Sequence, residues 1–152
     1  MKRPLELIRR ILGRDRSPRP IVRRLNGFEK EALAACIPGE DLDGAVIHIG
    51  DMPWYAPKWA SDITRGKDIY FAPDVYDGFL LRSLSLLGHE LAHVGQYRLG
   101  MRWCTYLWSC VGGYRNSMYE LPAFAMGEQI SGKLDAAIAP GYGRTPKNLA
   151  QR

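Results

Sequence analysis

Two histidines four residues apart, with a glutamate beside the first, are the side chains of this 152-residue chain best suited to chemistry. They stand in Gly88-His89-Glu90-Leu91-Ala92-His93, an HExxH pattern inside a stretch that reads as helix. On a helix, residues four apart lie one turn above each other, so both imidazoles reach one tetrahedral zinc ion. Glu90, on the rim of that face, is placed to take a proton from water on the metal. Zinc lowers that water's pKa toward neutrality, so it attacks a carbonyl which the metal also polarises. The pattern arises by chance in fewer than about one chain in a hundred of this length, and here it takes two of only three histidines. Without a metal, three polar groups on an apolar helix would each need another partner.

A catalytic zinc site wants three protein ligands and one open position. The extension HExxHxxGxxH fails, because Gln96 stands at its glycine and Leu99 at its third histidine. Glu120 is the favoured third ligand, since it opens the next helix after a connection long enough to turn back. Ser117 and Glu120 also fit the capping box S-x-x-E, so Glu120 has a second reading as a helix cap. Glu128 and His48 are the fallback ligands. Tyr119, Tyr114 and His48 are the candidates for stabilising an oxyanion, although aromatic residues more often serve the core.

These residues need elements to hold them. Residues 78–99 predict one long helix, with Asp77 as N-cap and Gly100 as its stop. It is apolar almost all round (Leu84, Leu87, Leu91, Val94), so it should be buried, and its polar stripe runs through Arg82, Ser85, His89, His93 and Gln96. A second helix is expected over residues 117–138, with Pro122 in its first turn. Residues 28–37 read as a helix ending at Pro38-Gly39, and residues 45–49 and 68–71 as short strands. Residues 52–61, with two prolines and two tryptophans, read as loop, and residues 102–115 as an aromatic connection. The fold class expected is α+β: a small sheet over residues 44–72 packed on the HExxH helix and the ligand-bearing helix.

With 46% hydrophobic and 24% charged residues, the chain suits one compact domain. No apolar run approaches the eighteen or so residues of a membrane span. Arg9 and Arg10 interrupt the apolar residues near the N-terminus, which removes the secretory-signal reading. A cytoplasmic protein is therefore expected, unless a dedicated secretion or injection system exports it. Cys36, Cys104 and Cys110 form an odd set with no CxxC pair and read as ordinary thiols.

The net charge of +5 is uneven: residues 1–24 carry nine Arg and Lys against Glu6 and Asp15, leaving −2 on the rest. Residues 1–24 thus read as a basic arm and linker, with an amphipathic helix over residues 4–13, ahead of a domain at 25–138 and a flexible tail at 139–152. Contact with an anionic lipid or nucleic-acid surface is the functional reading of the arm. A solvated extension is favoured, because no aromatic residue interleaves the arginines.

Residues 42–125, just over half the chain, resemble small gluzincin-type zinc peptidase domains, in particular the domain found with extracellular contractile injection systems and related secreted toxins. The resemblance rests on AVIHIG, GKDIYFAPDVYD, LLGHELAHVGQY and MYELPAFA, of which GHELAHVGQ is the specific part. It implies Zn2+ held by His89, His93 and Glu120, with Glu90 as base in hydrolysis of a peptide or protein substrate. Larger relatives of that type carry an aspartate four residues after the glutamate ligand, and Phe124 stands there, which leaves the partner of the first histidine unidentified. The competing class is a non-catalytic zinc-binding interaction domain, or a delivered toxin domain, acting through the basic arm. Against the non-catalytic reading stands Glu90, since structural zinc sites usually have four protein ligands and need no base.

Overall fold

A computed structural model describes residues 19–142. The helix expected over residues 4–13 and the end of the tail, residues 143–152, lie outside the described residues. The fold is α+β, with a four-stranded mixed sheet and five helices among the described residues. In chain order these are β1 (Ile21–Arg24), α1 (Gly27–Leu33), α2 (Gly39–Gly44), β2 (Val46–Ile49), β3 (Asp62–Arg65), β4 (Asp68–Phe71), α3 (Leu81–Arg98), α4 (Trp103–Ser109) and α5 (Glu120–Tyr142). Two 3-10 turns, Cys110–Gly112 and Tyr114–Asn116, lie between α4 and α5. No helix among the described residues is long and apolar enough to cross a membrane.

The strand order is β1-β2-β4-β3. Strands β2 and β4 are parallel, with Ile47 opposite Ile69 and Ile49 opposite Phe71, while β1 and β3 flank them antiparallel. The β3–β4 turn is Gly66-Lys67, and Gly66 has φ of 65°, a conformation that glycine adopts without steric penalty. Ile47, Ile69 and Phe71 are fully buried and form the floor of the core with Leu33, Leu42, Leu87, Leu91 and Ile130. Thus α3 is buried from two sides, by the sheet and by α5, which is why its sequence is apolar almost all round.

Several boundaries differ from the sequence reading. Helix α3 begins at Leu81 rather than residue 78, and its N-cap is Leu80 without a side-chain bond. Asp77 instead accepts the Phe79 N–H at 3.2 Å, while its own N–H donates to Ser83 Oγ at 3.0 Å. An aspartate that closes a turn on the residue two further on competes with its use as a cap. The C-terminus is as expected: Gly100 (φ 109°) follows the last turn, Met101 N–H reaches Gln96 O at 2.9 Å and Gly100 N–H reaches Tyr97 O at 3.1 Å.

Strand β1, taken from the sequence as part of the basic arm, belongs to the sheet, and its Arg23 guanidinium donates two bonds to the fully buried Glu29 carboxylate at 2.6 and 2.7 Å. Glu29 also accepts the Asn26 N–H and the Tyr76 hydroxyl, and Asn26 Oδ1 accepts the Glu29 N–H, so a capping box anchors α1 to β1. Burial would push the Glu29 carboxyl up, but these donors outweigh it and hold it below the usual range.

Candidate metal centre

The site forms where α3 and α5 cross antiparallel, with Ser85 beside Gly127 and Gln96 beside Tyr119. Glycine permits the approach. A Cβ on Gly88 would stand 2.0 Å from Ile130 Cδ1, and one on Gly127 would stand 3.2 Å from the Ser85 carbonyl. Ser85 Oγ also donates to the Gly127 carbonyl at 2.8 Å. This approach brings the first residue of α5, Glu120, against the histidine face of α3.

His89, His93 and Glu120 are all buried, and each offers a ligand atom within 4.8 Å of the others. The two Nε2 atoms face each other at 3.2 Å. Glu120 Oε2 lies 3.3 Å from His89 Nε2, and Oε1 lies 3.4 Å from His93 Nε2. Oε2 is buried and accepts no hydrogen bond, so its 3.3 Å approach to His89 lacks the alignment of one. Two ring nitrogens and a carboxylate turned toward one point, with one carboxylate oxygen orphaned, can hold a metal ion.

Burial by itself would raise the Glu120 carboxyl, yet the two imidazoles and the Tyr106 hydroxyl hold it well below the ordinary carboxylate range. Tyr106 donates its hydroxyl to Glu120 Oε1, and burial together with that carboxylate pushes the phenol far up. Glu120 therefore remains an anion and Tyr106 a neutral donor. Ser117, half of the capping box read from sequence, accepts the Tyr119 N–H at 3.2 Å, and the Glu120 side chain turns into the site instead of capping.

Glu90 is buried next to the cluster, with Oε1 3.8 Å from His89 Nε2. Thr64, on the outer strand β3, donates to Glu90 Oε2 at 2.7 Å and fixes which oxygen faces inward. Burial pushes the Glu90 carboxyl up, the two histidines oppose this, and Asp62 adds to it. A base with a raised pKa accepts a proton more readily near neutral pH.

Gln96 orients His93. Its Nε2 donates to the Tyr119 carbonyl at 2.8 Å, so its Oε1 must face His93 Nδ1, 2.9 Å away. Nδ1 then carries the proton, and the Nε2 lone pair points into the site, the tautomer a metal ligand requires. The Phe124 ring packs against His89 with centroids 4.7 Å apart, at the position where the resemblance would place an orienting aspartate.

The remaining sequence candidates stand elsewhere. His48 lies on β2, bonded to Asp68 at 2.9 Å and stacked on Tyr70. Glu128 is exposed on α5 and lines a neighbouring cleft. Tyr119 directs its hydroxyl toward Thr105, whereas Tyr114 lines the clefts on both sides of the histidines. Sequence spacing assigns no role at the site to Thr64 or Tyr106; the aromatic density of residues 103–114 is the one signal for Tyr106.

No curated protein and no solved structure matches the chain. A family model described as the eCIS core domain matches residues 39–101, from the start of α2 to just past α3, and so spans His89, Glu90 and His93 but stops short of Glu120. That match links the chain to proteins of extracellular contractile injection systems.

Proposed function

We propose that the chain is a zinc-dependent peptidase of zincin-like architecture, with His89, His93 and Glu120 as ligands and Glu90 as general base. The observation that carries this reading is the buried His89–His93–Glu120 cluster with the Glu90 carboxylate beside it. The donor set suits zinc. A tetrahedral ion with ligands at 2.0–2.1 Å needs donor separations of about 3.3 Å; the two Nε2 atoms lie 3.2 Å apart, and each has a different Glu120 oxygen near that distance, Oε2 at 3.3 Å from His89 and Oε1 at 3.4 Å from His93. A structural zinc site fills four protein positions, whereas three ligands and a neighbouring carboxylate suit a site that works on a substrate.

Zinc supplies Lewis acidity, polarising a carbonyl and lowering the pKa of water. The protein's own residues do the rest. Glu90, steadied by Thr64, takes the proton of the attacking water and returns it to the departing amine. Gln96 keeps His93 in its ligating tautomer, and Tyr106 steadies Glu120. Tyr114, a half-exposed phenol beside the Glu120 and Glu90 charges, which favour its neutral form, faces the cleft as a donor to a developing oxyanion. A peptide substrate is favoured because β3, an outermost strand, lines the cleft beside Glu90 and offers main-chain groups to an extended chain. The link to contractile injection systems favours a domain that acts after delivery, with the chemistry unchanged.

The test is hydrolysis of a peptide library and casein by zinc-loaded wild type and Glu90→Gln. Wild type should cleave, and Glu90→Gln should fall by about a hundredfold or more. Equal rates for the two would overturn the reading.

A further inference from the structure

The two clefts that meet at the histidines differ in lining. One, of about 870 Å³, runs past His89 between Asp62, Asp74, Asp77, Glu128, Arg82 and Arg115. The other, of about 680 Å³, has Glu90, His93 and Glu120 at its base and walls of Tyr55, Trp59, Trp103, Tyr106, Met101 and Leu107. Its rings touch in series. Tyr55 meets Trp103 edge-on at 6.1 Å, Trp103 stacks on Tyr106 at 5.7 Å, and Tyr106 meets the His93 ring at 5.9 Å. Arg65 lies 5.0 Å over the outer face of Tyr55. An aromatic wall therefore runs from the surface to a metal-ligating imidazole, and Trp59 beside it is 82% exposed. Such exposure of a tryptophan on a cleft wall leaves apolar area for a ligand to cover.

We infer that this cleft selects the substrate, taking an aromatic side chain of the peptide adjacent to the bond at Glu90. The inference rests on the peptidase reading, since the base of the cleft is the proposed reacting site. Three features favour an aromatic occupant over an aliphatic one. The walls offer ring faces and edges at several orientations, the cleft volume accommodates an indole, and no charged side chain other than Asp62 and those at its base lines it. Offset and edge-on ring contacts each change an affinity by roughly two- to twelvefold beyond the area they bury.

The experiment separates selection from catalysis. Zinc-loaded Glu90→Gln is titrated with fluorescently labelled pentapeptides Gly-Gly-X-Gly-Gly, where X is Trp, Phe, Leu, Ala or Asp, and binding is read by anisotropy. The Trp and Phe peptides should bind at least tenfold more tightly than the Ala peptide. That preference should shrink to less than about threefold on adding Trp103→Ala, and shrink in part on adding Trp59→Ala, an exposed position whose loss leaves the fold intact. Trp108→Ala, 80% exposed and outside the cleft lining, should change nothing. Equal affinity for all X, or a preference unaltered by both Trp59→Ala and Trp103→Ala, would overturn the inference. Wild type that cleaves the peptides without regard to X would sink it while leaving the peptidase reading intact. A preference that persists in binding, while wild type cleaves nothing, would do the reverse.

Discussion

Replacing Gly88 by alanine tests how the crossing of α3 and α5 builds the site. The new Cβ would lie 2.0 Å from Ile130 Cδ1, where ordinary contact needs nearly twice that. Ile130 is only 1% exposed, so its terminal methyl must turn within packed surroundings or α5 must move away. Overpacking of this kind costs roughly 1–3 kcal/mol, and alanine regains roughly 0.8–1 kcal/mol of helix propensity over glycine. A net loss of up to about 2 kcal/mol follows. Ile130→Val alone should cost about 0.5–1.5 kcal/mol. It removes the offending atom, and the remaining Ile130 carbons lie at 3.4 and 3.8 Å from the new Cβ. The double variant should therefore be no less stable than Ile130→Val, a coupling of about 1 kcal/mol or more. Urea unfolding with chelator present measures this free of metal linkage. Effects of Gly88→Ala and Ile130→Val that simply add would refute the close-crossing argument.

Gln96→Leu should weaken zinc affinity by about 10- to 100-fold with little change in metal-free stability, because it frees the His93 ring to take the other tautomer; competition with a chromogenic chelator reads it. Glu29 has a folded pKa below its unfolded value, so its contribution is full above about pH 4.3 and is lost as pH falls through the lower, folded value. Wild type should accordingly lose more stability than Glu29→Gln between pH 5 and pH 3, and parallel unfolding curves for the two would contradict this. Deleting residues 1–18, which hold six of the nine basic residues of the arm, should abolish any low-salt binding to anionic vesicles without changing metal content, whereas deletion through residue 24 should also destabilise the domain by removing β1 and Arg23. Undiminished vesicle binding by the shorter deletion would remove the arm as its cause.

What was legible in the sequence was local. His89, Glu90 and His93 lie within five residues on one helix, so their common face follows from the 3.6-residue repeat. Strands β2 and β4 announce themselves because Ile47, Ile69 and Phe71 are wholly buried. Strands β1 and β3 do not, since they are outer strands and among their side chains only Thr64 is buried. The long-range partners were hidden for the same reason. Nothing near Thr64 in sequence points to Glu90, twenty-six residues away, and nothing near Glu29 points to Tyr76. Glu120 was ambiguous between cap and ligand because both uses require an acid at a helix start. Its orientation is decided by Tyr106 and the two histidines, which sequence spacing does not encode.

The most direct test is the zinc content of dialysed wild type, Glu90→Gln and Glu120→Ala by elemental analysis. Wild type and Glu90→Gln should each hold about one zinc per chain, and Glu120→Ala should hold far less. Zinc retained by Glu120→Ala at the wild-type level, or absent from wild type supplied with zinc, would contradict the account.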